Sequence, residues 1–270
     1  MKIVRFLYNG QTQYGIIEGE RVHPCVGDPF VGLSRGTKTL DLGSIKLLAP
    51  VCPPNIICLG LNYRKHADET GMSYPAAPLV FLKANTALCG PGDPIILPEG
   101  YQESIDYEVE MVVVIGKKAK NLTEEEALQA VMGYTIGNDV SNRTAQFNDG
   151  QWARGKSHDT FCPIGPAIET DLDGDNLDLS LRLDGKIMQD SNTSDMIFPC
   201  RRIISYLSRS MTLLPGTIIM TGTPSGVGYT RKPPVFLKAG QTVECRIEGI
   251  GLLANPVVGP TPGSIGQKEK

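Results

Sequence analysis

Apolar residues fall into many short clusters along this chain, separated mostly by glycine, proline, asparagine and acidic residues. Lys2 to Tyr8 is rich in strand formers, although it alternates poorly, and the Asn9-Gly10 that follows is a dipeptide favoured in two-residue hairpin turns. Tyr14-Gly15-Ile16-Ile17 predicts a second strand and Glu18-Gly19-Glu20 a second turn. Paired prolines in Val51-Cys52-Pro53-Pro54 interrupt regular structure, so residues 1–52 are expected to form a small β-rich unit and residues 53–260 a larger one. Helix signals are few. Thr123 can cap a helix, Glu126 completes a capping box, Ala127, Leu128, Ala130 and Val131 supply an apolar face, and Gly133 closes it. A second helix is expected from Arg201 to Ser208, and Met111 to Ile115 reads as a strand in a buried sheet. Short strands broken by Gly and Pro, with few helices, predict an α+β, mainly β domain built on a rolled sheet. The polar, Gly-containing stretch from Thr261 to Lys270 predicts a disordered tail, and no internal repeat is visible.

Composition narrows the function. At 270 residues the chain can bury one large core with a small appendage. Its formal charge of −3, without a basic stripe or interleaved aromatics, argues against a nucleic-acid partner. The first residues lack the apolar core of a signal peptide and no apolar run is long enough to span a bilayer, so no membrane association and a cytoplasmic location are expected. Seven scattered cysteines, odd in number and without a Cys-x-x-Cys, favour reduced thiols; Cys58 and Cys245 sit in apolar strand-like runs and read as small core residues.

The chemistry centres on three carboxylates. In Asp106-Tyr107-Glu108-Val109-Glu110 the two glutamates are two residues apart, so in a strand they share a face. Paired anions beside a buried strand repel each other and are costly to desolvate, and a divalent cation removes both problems. Asp139, in the second strand-like segment Gly133 to Val140, would complete an all-oxygen site suited to Mg²⁺, Mn²⁺ or Ca²⁺ rather than zinc. Taken alone, the same Glu-x-Glu also describes two solvated glutamates on an exposed strand face.

The surrounding motifs decide between these readings. Ile57 to Glu69 (ICLGLNYRKHADE), Phe81-Leu82-Lys83, Asp139 to Gln146 (DVSNRTAQ), Trp152 to Ser157 (WARGKS) and Thr221 to Gly228 (TGTPSGVG) stand in the order and spacing of the fumarylacetoacetate hydrolase (FAH) family. The chain resembles its acylpyruvase and 2-hydroxyhepta-2,4-diene-1,7-dioate isomerase branch from about Asn55 to Val257. Two positions depart from the pattern: His158 stands where an apolar or aromatic residue is expected, and Asn142 where small residues are more usual.

The resemblance implies an FAH-type β-roll core, a homodimer, and Glu108, Glu110 and Asp139 as ligands of Mg²⁺ or Mn²⁺, with Ca²⁺ able to replace them in a crystal. A 2-oxo acid can chelate such a metal through its carboxylate and 2-oxo oxygen, which stabilises an enolate forming at C3. Lys156, matched to the family's lysine, would support the developing oxyanion. Arg143, four residues after Asp139, either grips a substrate carboxylate or makes a structural salt bridge. Gln146 belongs to the same pocket, and Thr223 offers a hydroxyl in a Gly- and Pro-framed loop. His66 and Glu69 share a helix face, and the resemblance makes them a water-activating dyad on a lid. His158 could share a strand face with Lys156, whereas His23 lies in the small N-terminal unit and reads as structural. The expected activity is hydrolysis of a carbon–carbon bond in acylpyruvates. Oxaloacetate decarboxylation or isomerisation of a 2-hydroxydienedioate would use the same residues, and a non-catalytic metal- and ligand-binding protein is the alternative from another class.

Overall fold

The structure, a computed structural model, describes residues 1–101 and 103–260. Within them strand outweighs helix, as the α+β, mainly β reading expects. The N-terminal hairpins form where the turn residues direct: Lys2–Tyr8 pairs antiparallel with Gln11–Glu18, and that strand with Arg21–Asp28. Asn9 and Gly10 both take positive φ, 48° and 75°, which a two-residue hairpin of this hand requires. These strands are continuous with the rest of the molecule. Lys2–Tyr8 also pairs with Cys162–Glu169, and the sheet runs on through Val131–Asn138, Val109–Ile115, Ile218–Met220, Ile56–Gly60 and the edge strand Leu79–Lys83. The 261–270 tail lies outside the described residues.

A smaller sheet, ordered Ile95–Ile96, Gly251–Val258, Thr242–Ile247, Asp178–Leu183 and Lys186–Asn192, packs against the large one. Two of its strands alternate strictly: Leu179, Leu181 and Leu183, then Val243, Cys245 and Ile247, are buried. Val109–Ile115 shows the opposite pattern. All seven residues are buried, and the apolar run Met111 to Ile115 within it marks a strand covered on both faces. Each such Val or Ile contributes about 1.5–3 kcal/mol by leaving water. This fully buried strand carries Glu110 as its second residue, with Glu108 just before its start.

The helices correct two sequence expectations. The capping box at Thr123 and Glu126 is present, with Glu126 N donating to Thr123 Oγ1 and Thr123 N to Glu126 Oε2. The helix, however, covers only Glu124–Ala127, passes through a 3₁₀ turn, and becomes strand at Val131. Gly133 therefore does not cap it; a Cβ there would lie 2.4 Å from the Glu169 carbonyl oxygen, so glycine lets two strands approach. The second helix is longer than expected, Cys200–Ser210, and sends Ile203, Ile204 and Leu207 into the core. No helix among the described residues is long and apolar enough to cross a membrane. Gly133→Ala is expected to destabilise the fold by about 1–3 kcal/mol through overpacking against backbone, read as a lower urea midpoint with an unchanged slope.

Candidate metal centre

Antiparallel pairing sets Val109 opposite Asn138 and Glu110 opposite Gly137. The register continues past the strand ends: Asp139 N donates to the Glu108 carbonyl at 2.9 Å, and Glu108 N donates to Asn138 Oδ1 at 2.9 Å. Two neighbouring strands thus deliver Glu108, Glu110 and Asp139 to one point. One oxygen from each lies within 4.8 Å of the others, and all three residues are buried.

Cations surround them. Lys156 Nζ donates to Glu108 Oε2 and to Asp139 Oδ2, both at 2.6 Å. Lys83, at the inner end of its edge strand, pairs with Asp139 Oδ1. Arg143 bonds Glu108 Oε1 at 2.6 Å and Asp106 Oδ2 at 2.9 Å. Four buried carboxylates (Asp106, Glu108, Glu110, Asp139) therefore face three buried cations, one short of balance.

The imbalance falls on Glu110. Burial raises the carboxyl of Glu108, but the Arg143 guanidinium and the Lys156 ammonium outweigh it and hold Glu108 well below the usual carboxylate range. Lys156 shows the reciprocal effect: burial lowers its ammonium, yet Asp139 and Glu108 push it up to about 12. Glu110 has no ion pair among the described residues. Burial, reinforced by Asp139 and Glu108, drives its carboxyl well above the ordinary range, and the Gly222 N–H, 2.8 Å from Oε2, relieves it only in part. A buried carboxylate without a counter-charge, beside two more carboxylate oxygens, fits a hard divalent ion. Glu108, Glu110 and Asp139 are the residues that would hold it.

His66, Arg143, Gln146, Lys156 and Thr223 line, with the three carboxylates, a small cavity of about 80 Å³ that also meets the exposed Met72 and Phe147. His66 and Glu69 ride on the short helix Arg64–Thr70, which Gly71 ends in a left-handed conformation. His66 Nδ1 lies 2.7 Å from Glu69 Oε1, and Glu69 also accepts from Gly226 N, tying this helix to the following glycine loop. His66 lines the cavity, and its Nε2 has no partner among the described residues. Arg143 uses each of its nitrogens on protein acceptors, Asp106, Glu108 and the Gln146 carbonyl oxygen, the structural alternative left open by the sequence. Gln146 thereby turns its amide nitrogen away from Arg143, in a residue that lines the cavity. Thr223 lines it too, but its hydroxyl donates to the Val109 carbonyl and accepts from Gln189.

His158 does not reach this cavity. A helix, Ala153–Lys156, replaces the strand whose alternation would have aimed both side chains one way. The imidazole instead meets Asn142, Nε2 to Nδ2 at 3.1 Å, between Tyr101 and Phe161. The two departures from the family pattern are thus bonded to each other, and burial with the nearby Arg154 lowers the His158 pKa. Asn142 Oδ1 also caps the Arg143–Asn148 helix by accepting from Ala145 N. His23 is held in the N-terminal hairpins by Glu18 and Arg35.

Residues 55–258 match the family described as fumarylacetoacetate (FAA) hydrolase C-terminal, and residues 1–50 match Rv2993c-like, N-terminal. The chain belongs to the fumarylacetoacetate hydrolase family. It is 47% identical over 261 residues to the mitochondrial oxaloacetate tautomerase Fahd2a of Rattus norvegicus, covering 95% of this chain and 79% of that one. It is 44% identical over 239 residues to Protein Rv2993c of Mycobacterium tuberculosis, covering 87% and 85%. The crystal structure of 2-hydroxyhepta-2,4-diene-1,7-dioate isomerase from Mycobacterium marinum superposes with a TM-score of 0.87 at 40% identity, covering 96% and 98%.

Sequence reasoning missed two members of this FAH-family charge cluster. Asp106 extends the Glu108, Glu110 period by two and anchors Arg143, Gly228 N and Tyr229 N. Lys83 closes an apolar run, and a lysine at the inner end of a strand needs a buried anion. In EDTA-treated protein, Glu110→Gln is expected to raise the melting temperature, because it removes the uncompensated carboxylate. Since the native Glu110 carboxyl is raised, the native state holds the extra proton and wild-type stability falls as pH rises above the ordinary carboxylate range, so the gap widens with pH. Asp139→Asn, which removes the only carboxylate partner of Lys83 and leaves Lys156 with Glu108 alone, should lower stability by about 3–5 kcal/mol. Mg²⁺ should stabilise wild type and leave Glu110→Gln unmoved in the same thermal scans.

Proposed function

We propose that this chain is a Mg²⁺- or Mn²⁺-dependent enzyme that interconverts the enol and keto forms of a short 2-oxo diacid of the oxaloacetate type. The observation that carries the reading is the Glu110 carboxylate, without an ion pair among the described residues, in a small cavity that His66 and Lys156 also line. A bound divalent ion would act as a Lewis acid toward the 2-oxo carboxylate end. The neighbouring groups then have defined tasks. With Nδ1–H held by Glu69, the His66 Nε2 lone pair can take a proton from C3 of the keto form and give it to the 2-oxo oxygen, with the reverse transfer restoring the keto form. The Lys156 ammonium stabilises negative charge on the substrate oxygen. Arg143 keeps Glu108 in place, and Gln146, held by Arg143 through its carbonyl oxygen in the cavity wall, has an amide nitrogen to offer substrate. A cavity of about 80 Å³ is far below the roughly 300–1,000 Å³ usual for ligand pockets, which favours a four-carbon acid over a seven-carbon dienedioate. The oxaloacetate tautomerase name of the rat relative agrees with this size argument.

The His66–Glu69 pair supports a second reading, hydrolysis of acylpyruvates. Here His66 takes a proton from water, the hydroxide adds to the distal carbonyl, and the C–C bond breaks to a carboxylic acid and the enolate of pyruvate, which is protonated at C3. Both readings use the same residues and differ in whether water enters.

The decisive assay follows loss of enol oxaloacetate by absorbance, and pyruvate release from acetylpyruvate, each with Mg²⁺ and with EDTA. Metal-dependent tautomerisation without pyruvate release is expected. Pyruvate release faster than tautomerisation would favour the hydrolase, and neither activity would sink both. His66→Ala should reduce kcat by about 10²–10⁴-fold while leaving Mg²⁺ affinity within threefold, roughly, since the imidazole is not a ligand.

A further inference from the structure

The metal cavity shares a wall with a second, much larger hollow. Phe81 and Trp152 line both, and beyond them lies an open groove of about 530 Å³. The two rings pack edge to face, centroids 5.4 Å apart at 68°. Trp152 can lie there because Gly60, on the adjoining strand, has no side chain: a Cβ would stand 2.3 Å from its Cζ3 atom. On the groove side the lining is mainly apolar, with Leu79, Val80, Leu82 and Ala153; Gln151 is its one polar side chain and no charged side chain contributes. Leu79 and Leu82 are 43% and 52% exposed. On the cavity side, Phe81 sits beneath the Lys156 ammonium, 5.3 Å from the ring centroid. A single aromatic partition therefore separates the ionic pocket from an apolar channel wide enough for a chain.

We infer that Trp152, backed by Phe81, determines substrate length: it closes the metal cavity against a groove whose chemistry suits an uncharged acyl chain. This rests on the reading of the cavity as a 2-oxo acid site. With the partition in place, a substrate held at the carboxylates is denied the groove and confined on that side to the cavity of about 80 Å³. With the indole removed, C4 and later carbons of a 2-oxo acid pass into the groove and bury methylenes against Leu79 and Leu82. A second carboxylate at the far end finds no cation there, so the enlarged site favours alkyl acylpyruvates over dienedioates.

The test measures binding, independent of turnover. Oxamate and N-hexyloxamate, which present the same 2-oxo carboxylate with and without a chain, are titrated calorimetrically into Mg²⁺-loaded protein. Wild type is expected to bind oxamate and to bind N-hexyloxamate at least about tenfold more weakly. In Trp152→Ala the order should reverse, with about a tenfold gain for every two methylenes that become buried, while oxamate affinity changes less than about threefold. Trp152→Leu, which keeps an apolar contact on Gly60, should shift the ratio in the same direction and serves if the alanine variant does not fold. Adding Leu82→Glu to either variant should erase the gain for the hexyl ligand and spare oxamate. A ratio unchanged from wild type in folded Trp152 variants overturns the partition while leaving the 2-oxo acid reading intact. Failure of oxamate to bind the loaded wild-type protein removes that reading, and the length limit with it.

Discussion

The site depends on charge balance in a place that water does not reach. Asp106, Glu108, Glu110 and Asp139 are buried with Lys83, Arg143 and Lys156, and each cation is bonded to at least one carboxylate. Isolated buried charges cost several kcal/mol each, so the cluster persists only because its members satisfy one another. Being one cation short, it concentrates the unmet demand at Glu110. That single deficit explains why a hard divalent ion fits, and why a ligand that brings a carboxylate with the ion would also be accepted.

The fold supplies this arrangement by simple means. Val109–Ile115 is covered on both faces, which leaves its backbone few alternatives and fixes the exit of Glu108 and Glu110. The register with Val131–Asn138 then brings Asp139 alongside without any special loop. Lys156 comes from a different direction, on a short helix packed tightly enough that a Cβ on Gly155 would lie 2.7 Å from Gln146 N. Asp106 and Arg143 form a further layer that holds Glu108 and receives Gly228 and Tyr229 from the glycine loop. The Arg64–Thr70 helix is tied to the same loop through Glu69, so the proposed base and the metal carboxylates share one frame.

Much of this was legible in the sequence, and the failures have physical causes. Period-two spacing revealed Glu108 and Glu110 because strand geometry is that regular. The N-terminal hairpins were legible because Asn9-Gly10 satisfies a turn that few other pairs can. The short helix at Glu124 was overextended, since its capping box specifies a start while its end is set by pairing of Val131 onward into the sheet. His158 was placed on a strand that is a helix and turn, so the alternation argument had nothing to act on. The roles of Asp106 and Lys83 depend on contacts between segments far apart in the chain, which spacing along one segment does not encode. The protein contacts of Arg143, to Asp106, Glu108 and Gln146, were hidden from the sequence for the same reason.

The central claim is that the buried cluster lacks one positive charge equivalent and takes a divalent ion at Glu108, Glu110 and Asp139. Calorimetric titration of chelator-stripped protein with Mn²⁺ tests it most directly. The account predicts one saturable site per chain, with Mg²⁺ competing for it. Absence of saturable binding, or binding that Glu110→Gln leaves undiminished, would contradict it.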